Sequence, residues 1–456
     1  MKMKILLLSP NILTVPAPVY PIGLDYVAGI LSDRHTVKIV DLNEKSGMER
    51  LAVVIRDFAP HLIGLSLRNV DNLEALKQES YVEGFQRLIA AIRRMTPAWI
   101  VLGGSGFTIF PVELMEALDA DYGIIGDGER FALLVTALET EGNVTSIPGV
   151  ISKGQPFAEG PVSREVTFRR RFDMHSPHVN YFLSHGGTLN LQTKRGCPYN
   201  CIYCTYPRID GSRLRLIDPD EVAQTALRLQ EAGAKYLFIT DSTFNCDTGH
   251  SLNVAKAFIK ARLTIPWGAF FAPFKPTADY YSIMAAAGLS HVEFGTESLC
   301  DRILAVYRKP FCRDDAFYAH EHASDAGLHI AHYLLFGGPG EDENSLKETL
   351  TSADQLEKAV LILFCGIRIY PHTALYQIAI GEGQITSSQN LLEPVFYQSP
   401  MLKTEAITAM VMEQSKGRPH WVFGSGSEKA ANIVSRMHAH GHYGPLWEKL
   451  ISAAPA

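Results

Sequence analysis

The stretch Lys194-Arg-Gly-Cys197-Pro-Tyr-Asn-Cys201-Ile-Tyr-Cys204-Thr-Tyr-Pro207 places three thiols on one tight loop near the middle of a chain of 456 residues. Thiolates this close can converge on one soft metal centre, and cubane clusters are normally held by four such ligands. Here the local count stops at three, which predicts an iron–sulfur site with one iron left open. A metal site with an unfilled position can bind and activate a second molecule, as catalytic zinc does and structural zinc does not. Two blander readings stand beside it: a structural zinc site completed by a distant His, and a loop of unliganded thiols. Zinc sites usually show paired Cys-x-x-Cys or Cys and His halves, and no second half follows at the usual spacing.

Hydrophobic residues make up 46% and charged residues 20%, the balance of a globular rather than a disordered chain. The length suggests about three domains. A formal net charge of -6 and the absence of a long basic run argue against nucleic acid as the main partner. The N-terminal apolar run after Lys4 breaks at Pro10, too short for a signal peptide, and no uninterrupted apolar stretch elsewhere is long enough to span a bilayer. Seven Cys, an odd number, do not suggest a disulfide framework. A thiolate cluster needs a reducing compartment, so the cytoplasm is expected. Cys246, Cys300, Cys312 and Cys365 are scattered and read as buried or free thiols.

Over residues 1–140, strand-length apolar runs (Ile5–Leu8, Val37–Val40, Leu62–Leu67, Trp99–Leu102, Tyr122–Ile125) alternate with amphipathic helical stretches. That alternation predicts an α/β domain, a doubly wound parallel sheet covered on both faces. Ligands of such sheets bind outside the carboxyl ends of the strands. Asp41-Leu-Asn43-Glu44 follows the second strand, Ser66-Leu-Arg68-Asn69 the third and Gly103-Gly104-Ser105-Gly106 the fourth. Neither a Walker loop nor a Gly-x-Gly-x-x-Gly after the first strand is present. Residues 141–187 lose periodicity and read as a linker, whose four Arg between Arg164 and Arg171 suit a solvated charge run.

Over residues 188–376 the alternation resumes, with six strands near Leu189–Thr193, Tyr236–Thr240, Trp267–Phe271, His291–Phe294, Ile330–Phe336 and Leu361–Ile369. Six such units predict an open or partial (β/α)6 barrel, with the cysteine loop after its first strand, at the end where barrel chemistry belongs. Asp241-Ser242, Glu297-Ser298 and Gly337-Gly338-Pro339-Gly340-Glu341 gather on the same rim, although each alone reads as a helix N-cap. Tyr370 and His372, in the closing turn, are the nearest thing to a catalytic acid–base pair, and a hydrogen-bonded structural His is the safer reading. The aromatic run Trp267–Phe274 suits an apolar ligand and core packing equally. Residues 377–456, including His438-Ala-His440-Gly-His442, are expected to form a small helical cap, the His tract being more ordinarily solvated than metal-bound.

The Cys-x3-Cys-x2-Cys spacing, with Tyr203 just before the last Cys, resembles the signature of the radical S-adenosylmethionine enzymes. The resemblance implies that Cys197, Cys201 and Cys204 bind a [4Fe–4S] cluster and that the amino and carboxylate groups of S-adenosylmethionine chelate its fourth iron. It further places Tyr203 near the adenine, gives the amino group to Asp241 and Ser242, and gives the carboxylate, ribose or adenine to Glu297, Ser298, Gly338 and Gly340. The first 140 residues, with Tyr20-Pro-Ile-Gly-Leu-Asp-Tyr-Val-Ala-Gly29 and Gly126-Asp-Gly-Glu129, resemble the cobalamin-binding domain that often precedes this barrel. That implies cobalamin contacts from Asp41, Asn43, Ser66, Arg68, Gly103 and Gly104. In the cobalamin motif Asp-x-His-x-x-Gly the His is the lower cobalt ligand. Asn43 holds that position here and Gly47 lies one residue late, so no His coordination is expected.

Together the two resemblances imply a cobalamin-dependent radical methylase. A 5′-deoxyadenosyl radical would take hydrogen from an unactivated carbon of a small-molecule substrate, methylcobalamin would supply the methyl group, and flavodoxin or ferredoxin would supply electrons. Two alternatives share the motifs. One is ring formation, ring contraction or oxygen insertion without methyl transfer. The other is a cobalamin and cluster sensor, against which stands the lack of a basic recognition helix.

Overall fold

The computed structural model describes residues 2–14, 18–44, 46–155, 168–424 and 428–453, which leaves the Arg164 end of the linker outside the described residues. The first sheet consists of β1 (Lys4–Ser9), β2 (Thr36–Asp41), β3 (Leu62–Ser66), β4 (Trp99–Gly103), β5 (Tyr122–Ile124) and β6 (Val150–Ser152), in the order β2-β1-β3-β4-β5-β6. The first five are parallel and β6 runs antiparallel to β5. Ile5, Leu6, Leu7 and Leu8 are all buried, because helices cover both faces of β1. On one face lie α1 (Ile22–Leu31) and, later in the chain, the helix Glu129–Glu139. On the other lie α2 (Gly47–Phe58), α3 (Val82–Met95), the short α4 (Ser105–Ile109) and α5 (Pro111–Ala117), the Glu129–Glu139 helix being α6.

Winding reverses between β1 and β3, so the crevice at the strand ends opens over β1, β3 and β4, while β2 is left at the edge. Gly104 makes the crevice floor possible. Its φ is +96°, and a Cβ there would stand 2.7 Å from the Leu67 carbonyl oxygen.

Of the described Arg run, Arg169 and Arg171 stay exposed and only Arg170 leaves solvent, which corrects the reading at that one residue. Arg169 pairs with Asp33, Arg171 donates to Ser32, and the buried Arg170 donates from Nε to Asp25 Oδ2 at 2.8 Å. The Nη1 of Arg170 also donates to the Asn190 carbonyl at 2.8 Å, so one guanidinium ties α1 to the first barrel strand. The helix α7 (Pro177–Ser184) then leads into the second domain.

That domain begins with β7 (Thr188–Leu191) and a hairpin of β8 (Lys194–Arg195) with β9 (Arg215–Leu216), which brackets the cysteine loop and α8 (Tyr206–Ile209). Next come α9 (Pro219–Glu231), β10 (Tyr236–Ile239), α10 (Thr248–Ala261), β11 (Trp267–Phe271), α11 (Tyr280–Ala286) and β12 (Leu289–Glu297). The alternation ends with α12 (Asp301–Val306), α13 (Arg313–Asp325), β13 (His329–Phe336), α14 (Glu343–Ala353) and β14 (Ala359–Cys365). These are the six expected strands.

The rest of the chain is helical, with α15 (Ala374–Gly381), α16 (Thr404–Ser415) and α17 (Glu428–Ala439), but it also carries strands. After β14, β15 (Ile367–Arg368) pairs with β16 (Phe396–Tyr397), and β17 (Trp421–Phe423) adds a parallel seventh strand beside β14. Three residues are too few to show alternation, which is why the pattern missed β17. Residues 443–449 cross the amino end of the barrel, where Trp447 Nε1 donates to Glu293 Oε1 at 3.2 Å and Glu448 Oε2 lies 3.3 Å from His291 Nε2. No helix among the described residues is long and apolar enough to cross a membrane.

An excursion between β3 and α3 reaches the barrel as well. Asp71 Oδ2 accepts from Arg368 Nε at 3.0 Å, and both side chains are buried. Breaking a buried pair strands the remaining charge and costs about 3–5 kcal/mol. Asp71→Ala is expected to lower stability by about that much in anaerobic urea titrations and to expose residues 70–80 to limited proteolysis. Unchanged stability together with unchanged protease resistance would contradict a docking role.

Candidate functional site

Hydrogen bonds from four directions fix the cysteine loop. The Cys197 N–H donates to Gly211 O at 3.0 Å, Cys204 N–H to Cys201 O at 3.1 Å, Ile202 N–H to Tyr307 O at 3.2 Å, and Leu375 N–H to Ile202 O at 2.8 Å. Gly196 enters the loop at φ +93°, and a Cβ there would come within 2.1 Å of Arg213 O. Cys197 is buried, and Cys201 and Cys204 are half-buried. Burial raises the Cys201 thiol and pushes Cys204 up to about 12. Thiolates at neutral pH therefore need a cation to hold them, which iron supplies. Three soft donors on one rigid loop fit a cubane with one iron open. Cys246, pushed up to about 11 by burial, feels the charge of Cys197.

Lys194, just before the loop, is fully buried. Its ammonium donates to Asp241 Oδ2 at 2.8 Å and to Thr243 O at 2.7 Å. Asp241 also accepts from Thr193 N–H at 2.8 Å and from the Thr193 hydroxyl. This corrects the expectation that Asp241 takes a cofactor amino group, because both carboxylate oxygens are used to lock the loop to the end of β10. Ser242 is better placed, its hydroxyl donating to Gly196 O at 3.4 Å.

Glu297 ends β12 with φ +65°, where the register with β13 shifts. A non-glycine residue held there stores strain of the kind found at functional sites. Its Oε1 accepts from Tyr203 OH at 2.8 Å and from Lys309 Nζ at 3.3 Å, and Lys309 also reaches Tyr203 OH at 3.3 Å. A phenol, a carboxylate and an ammonium thus converge beside Cys201, whose thiol feels both charges. Lys309 escaped the sequence reading because a lone Lys after a short helix has no pattern.

Three other rim residues are corrected to packing roles. Ser298 is buried, with Oγ 2.9 Å from Thr349 Oγ1 and accepting from Cys300 N–H at 3.2 Å. Gly338 is small because a Cβ would lie 2.4 Å from the Tyr307 ring. Gly340 shapes the turn, its carbonyl accepting from Arg302 at 2.6 Å.

The first domain contributes a cavity of about 200 Å³ at its strand ends, lined by Ser66, Gly103, Gly104, Gly126 and Asp127 among others. Pockets for whole drug-sized ligands run to about 300–1,000 Å³, so this one suits an arm of a large cofactor. Its other wall is the barrel's Gln192, Arg195, Ile209 and Asp210. Arg195 donates to Asp127 Oδ1 at 3.0 Å and to Gln192 Oε1 at 3.1 Å, and Arg215 pairs with the other Asp127 oxygen. Burial pushes the Asp210 carboxyl up to about 6. Arg68 and Tyr206 lie close enough for charge to act between them, with burial lowering the guanidinium and raising the phenol.

Asp41 and Asn43 do not line this cavity. Asp41 is buried at the end of edge strand β2, where it accepts from the Asn43 backbone N–H at 2.8 Å. Asp41 and Asn43 thus lie beside the edge strand and not on the cavity wall. No His is among the residues lining the cavity.

Tyr370 and His372 do not form the expected acid–base pair. The Tyr370 ring is wedged between Phe110, at 5.9 Å, and the Arg368 guanidinium, at 5.0 Å, and burial raises its phenol. His372 is exposed on a turn with φ +65°. In the His tract, His438 and His440 are within hydrogen-bond distance of the backbone carbonyls of Gly444 and Arg436. Among the described residues no three His, Cys, Asp or Glu side chains close on a single metal ion; a cubane asks instead for one thiolate on each of three irons, so the loop thiols need not meet at one point.

The radical SAM superfamily model matches residues 191–353, and the B12 binding domain model matches residues 8–135. A tryptophan 2-C-methyltransferase from Streptomyces laurentii is 23% identical, over 82% of this chain and 74% of its own. A cytidylyl-2-hydroxyethylphosphonate methyltransferase from Streptomyces wedmorensis is 23% identical, over 78% of this chain and 77% of its own. Among solved structures, the radical S-adenosylmethionine methyltransferase TsrM from Kitasatospora setae, with tryptophan and a S-adenosylmethionine analogue bound, superposes with a TM-score of 0.86. It shares 22% identity, over 99% of this chain and 98% of its own. The same enzyme has been solved with cobalamin and a [4Fe–4S] cluster.

Replacing Cys197, Cys201 and Cys204 together by Ala is expected to abolish iron uptake and brown absorbance on anaerobic reconstitution, while Cys246→Ala keeps both. Retention of a full cluster by the triple variant would overturn the assignment.

Glu341 on the same rim gives a pH test. It is 1% exposed, and burial raises its carboxyl to about 7 although it accepts from Gly337 N–H. A carboxyl raised on folding favours the fold fully below its unfolded value, and that contribution is lost as pH rises through the folded value. Relative to Glu341→Gln, the wild-type protein should lose roughly 2–3 kcal/mol of stability between pH 5 and pH 8 in anaerobic denaturant titrations. A pH-independent difference would refute this.

Proposed function

The chain belongs to the cobalamin-binding radical S-adenosylmethionine enzymes, and from that premise we propose that it transfers a methyl group to a carbon atom of a small-molecule substrate. The observation that supports this reading is a shared wall. Arg195, two residues before Cys197, also lines the strand-end cavity of the cobalamin domain and pairs there with Asp127. The two cofactor sites therefore adjoin across one side chain. When bound, the cluster and S-adenosylmethionine supply a 5′-deoxyadenosyl radical, and cobalamin supplies the methyl group.

The chain's own residues bind, orient and exclude water. Cys197, Cys201 and Cys204 would hold the cluster. Lys309 and Glu297, paired beside Cys201, would offer one cation and one anion to the carboxylate and amino groups of S-adenosylmethionine, and Tyr203 would offer its ring to the adenine. Ser66, Gly103 and Gly104 would leave space for the cobalamin arm, with Arg68 just past the end of the same strand as Ser66. Tyr206 and Ile209 shield the seam on the cluster side. The methyltransferase names of the relatives favour methyl transfer over radical rearrangement.

A one-electron donor such as flavodoxin or ferredoxin completes the cycle, and a reducing cytoplasm suits the exposed edge of the thiolate loop. With its substrate, the reconstituted enzyme should form 5′-deoxyadenosine and S-adenosylhomocysteine in comparable amounts, and a methyl label on S-adenosylmethionine should reach the product carbon. Product formed with 5′-deoxyadenosine but without labelled methyl would replace this reading with radical rearrangement.

A further inference from the structure

The barrel strands have two faces, and the one turned away from the core is lined with rings. Along β10, β11, β13 and β14, residues such as Ile239, Phe271, Leu334 and Leu363 are buried in the core between sheet and helices. The intervening Phe238, Phe270, Tyr333 and Phe364 belong to no hydrophobic cluster. Phe270 is 37% exposed although β11 lies inside a sheet of seven strands. An inward residue on an interior strand can owe that exposure only to open lumen.

The four rings form a continuous band. Phe238 and Phe270 meet edge to face at 5.2 Å, Phe270 and Tyr333 at 5.9 Å, and Tyr333 and Phe364 lie stacked at 6.4 Å. The polar groups beside the band are engaged, while lower on the wall the Tyr236 hydroxyl is buried out of a guest's reach. Tyr333 OH donates to Glu293 Oε2 at 2.7 Å, Trp447 Nε1 takes the other oxygen of that buried carboxylate, and Asn190 donates to Phe238 O at 3.5 Å. Among the described residues, what the band itself offers a guest is ring face and ring edge.

The lumen is closed below. Trp447 and Glu448 are tied to Glu293 and His291, and a Cβ added at Gly444 would lie 3.2 Å from the Tyr236 ring. From Glu293 at the floor to Glu297 at the rim is four residues of β12, or ~13 Å at about 3.3 Å per residue. A blind chamber of that depth takes a compact molecule and rejects a long chain that must run through it.

We propose that the band Phe238, Phe270, Tyr333 and Phe364 is the substrate subsite, and that the substrate presents a compact, planar aromatic ring to it. The inference rests on the methyl-transfer reading and deepens it by naming the substrate class. Aromatic guests satisfy the electropositive edges and electronegative faces of such a band, whereas a saturated guest of equal size only fills volume. The ring enters from the rim beside the cysteine loop, the one end of the chamber that residues 443–449 do not close.

The test uses enzyme reconstituted with cluster and cobalamin, titrated anaerobically by calorimetry with 2-naphthol and with decahydro-2-naphthol, neutral probes of similar size. The aromatic probe should bind at least tenfold more tightly. Phe270→Leu and Phe238→Leu should each weaken it about tenfold while iron content and affinity for S-adenosylmethionine hold. Equal binding of the two probes, no binding of either, or variants that lose affinity for S-adenosylmethionine instead would overturn the assignment. The wild-type comparison alone decides the matter should the variants fold poorly. Ring binding without methyl labelling would sink the reaction and leave the subsite, and labelling with equal probe binding would do the reverse.

Discussion

The Asp127 carboxylate lies between two guanidinium groups, Arg195 and Arg215, from the two strands of the hairpin that brackets the cysteine loop. That seat fixes the cysteine loop's hairpin against the first sheet. Asp127 belongs to the Gly126-Asp-Gly-Glu129 turn at the end of β5, so the hairpin docks at the crevice of the first sheet. Two further acids repeat the arrangement, Asp25 with Arg170 and Asp71 with Arg368, each an acid of the first domain meeting an Arg of the linker or barrel.

Buried ion pairs are a weak source of net stability, because desolvation offsets much of their attraction. They are a strong source of register, since a mismatched seam leaves charges stranded. A greasy seam would slide by a fraction of a side chain at little cost. Radical and methyl transfers tolerate no such slack, because a misplacement of about 1 Å can cost two orders of magnitude in rate. The locked Lys194–Asp241 pair serves the same end from inside the barrel, fixing the loop to β10 before any iron binds. In this seam, ionic docking trades stability for alignment.

The legible parts were those with local signals. The cysteine spacing, the strand-length apolar runs and the Gly-rich strand ends at Ser66, Gly103 and Gly104 all survive in the structure. What failed depended on order in space. Asp41 and Asn43 follow a strand just as Ser66 does, and only the sheet order, with β2 at the edge, removes them from the crevice. Asp241, Ser298, Gly338 and Gly340 sit on the correct rim, but whether a rim side chain faces the cofactor or its own backbone is settled by partners such as Lys194, Thr349 and Tyr307. Those partners lie from 31 to 51 residues away in the chain, beyond any local pattern. Lys309, Arg195 and Arg215 carry charge without periodicity, and the three residues of β17 are too short to show one.

The aromatic run of β11 suits an apolar ligand and core packing alike because its two faces do different things. Trp267, Phe271 and the ring between them obey a period of two, so a run that looks uniformly greasy is split into outward packing and inward lining. Trp267 and Phe271 pack edge to face against Phe244 in the core, while Phe270 meets Phe238 and Tyr333 along the lumen wall. The outward set answers to helix packing, where a lost methylene is felt at once. The inward set answers to a guest, and it can change without unmaking the fold. Substrate choice is thereby separated from stability on opposite sides of the same strands.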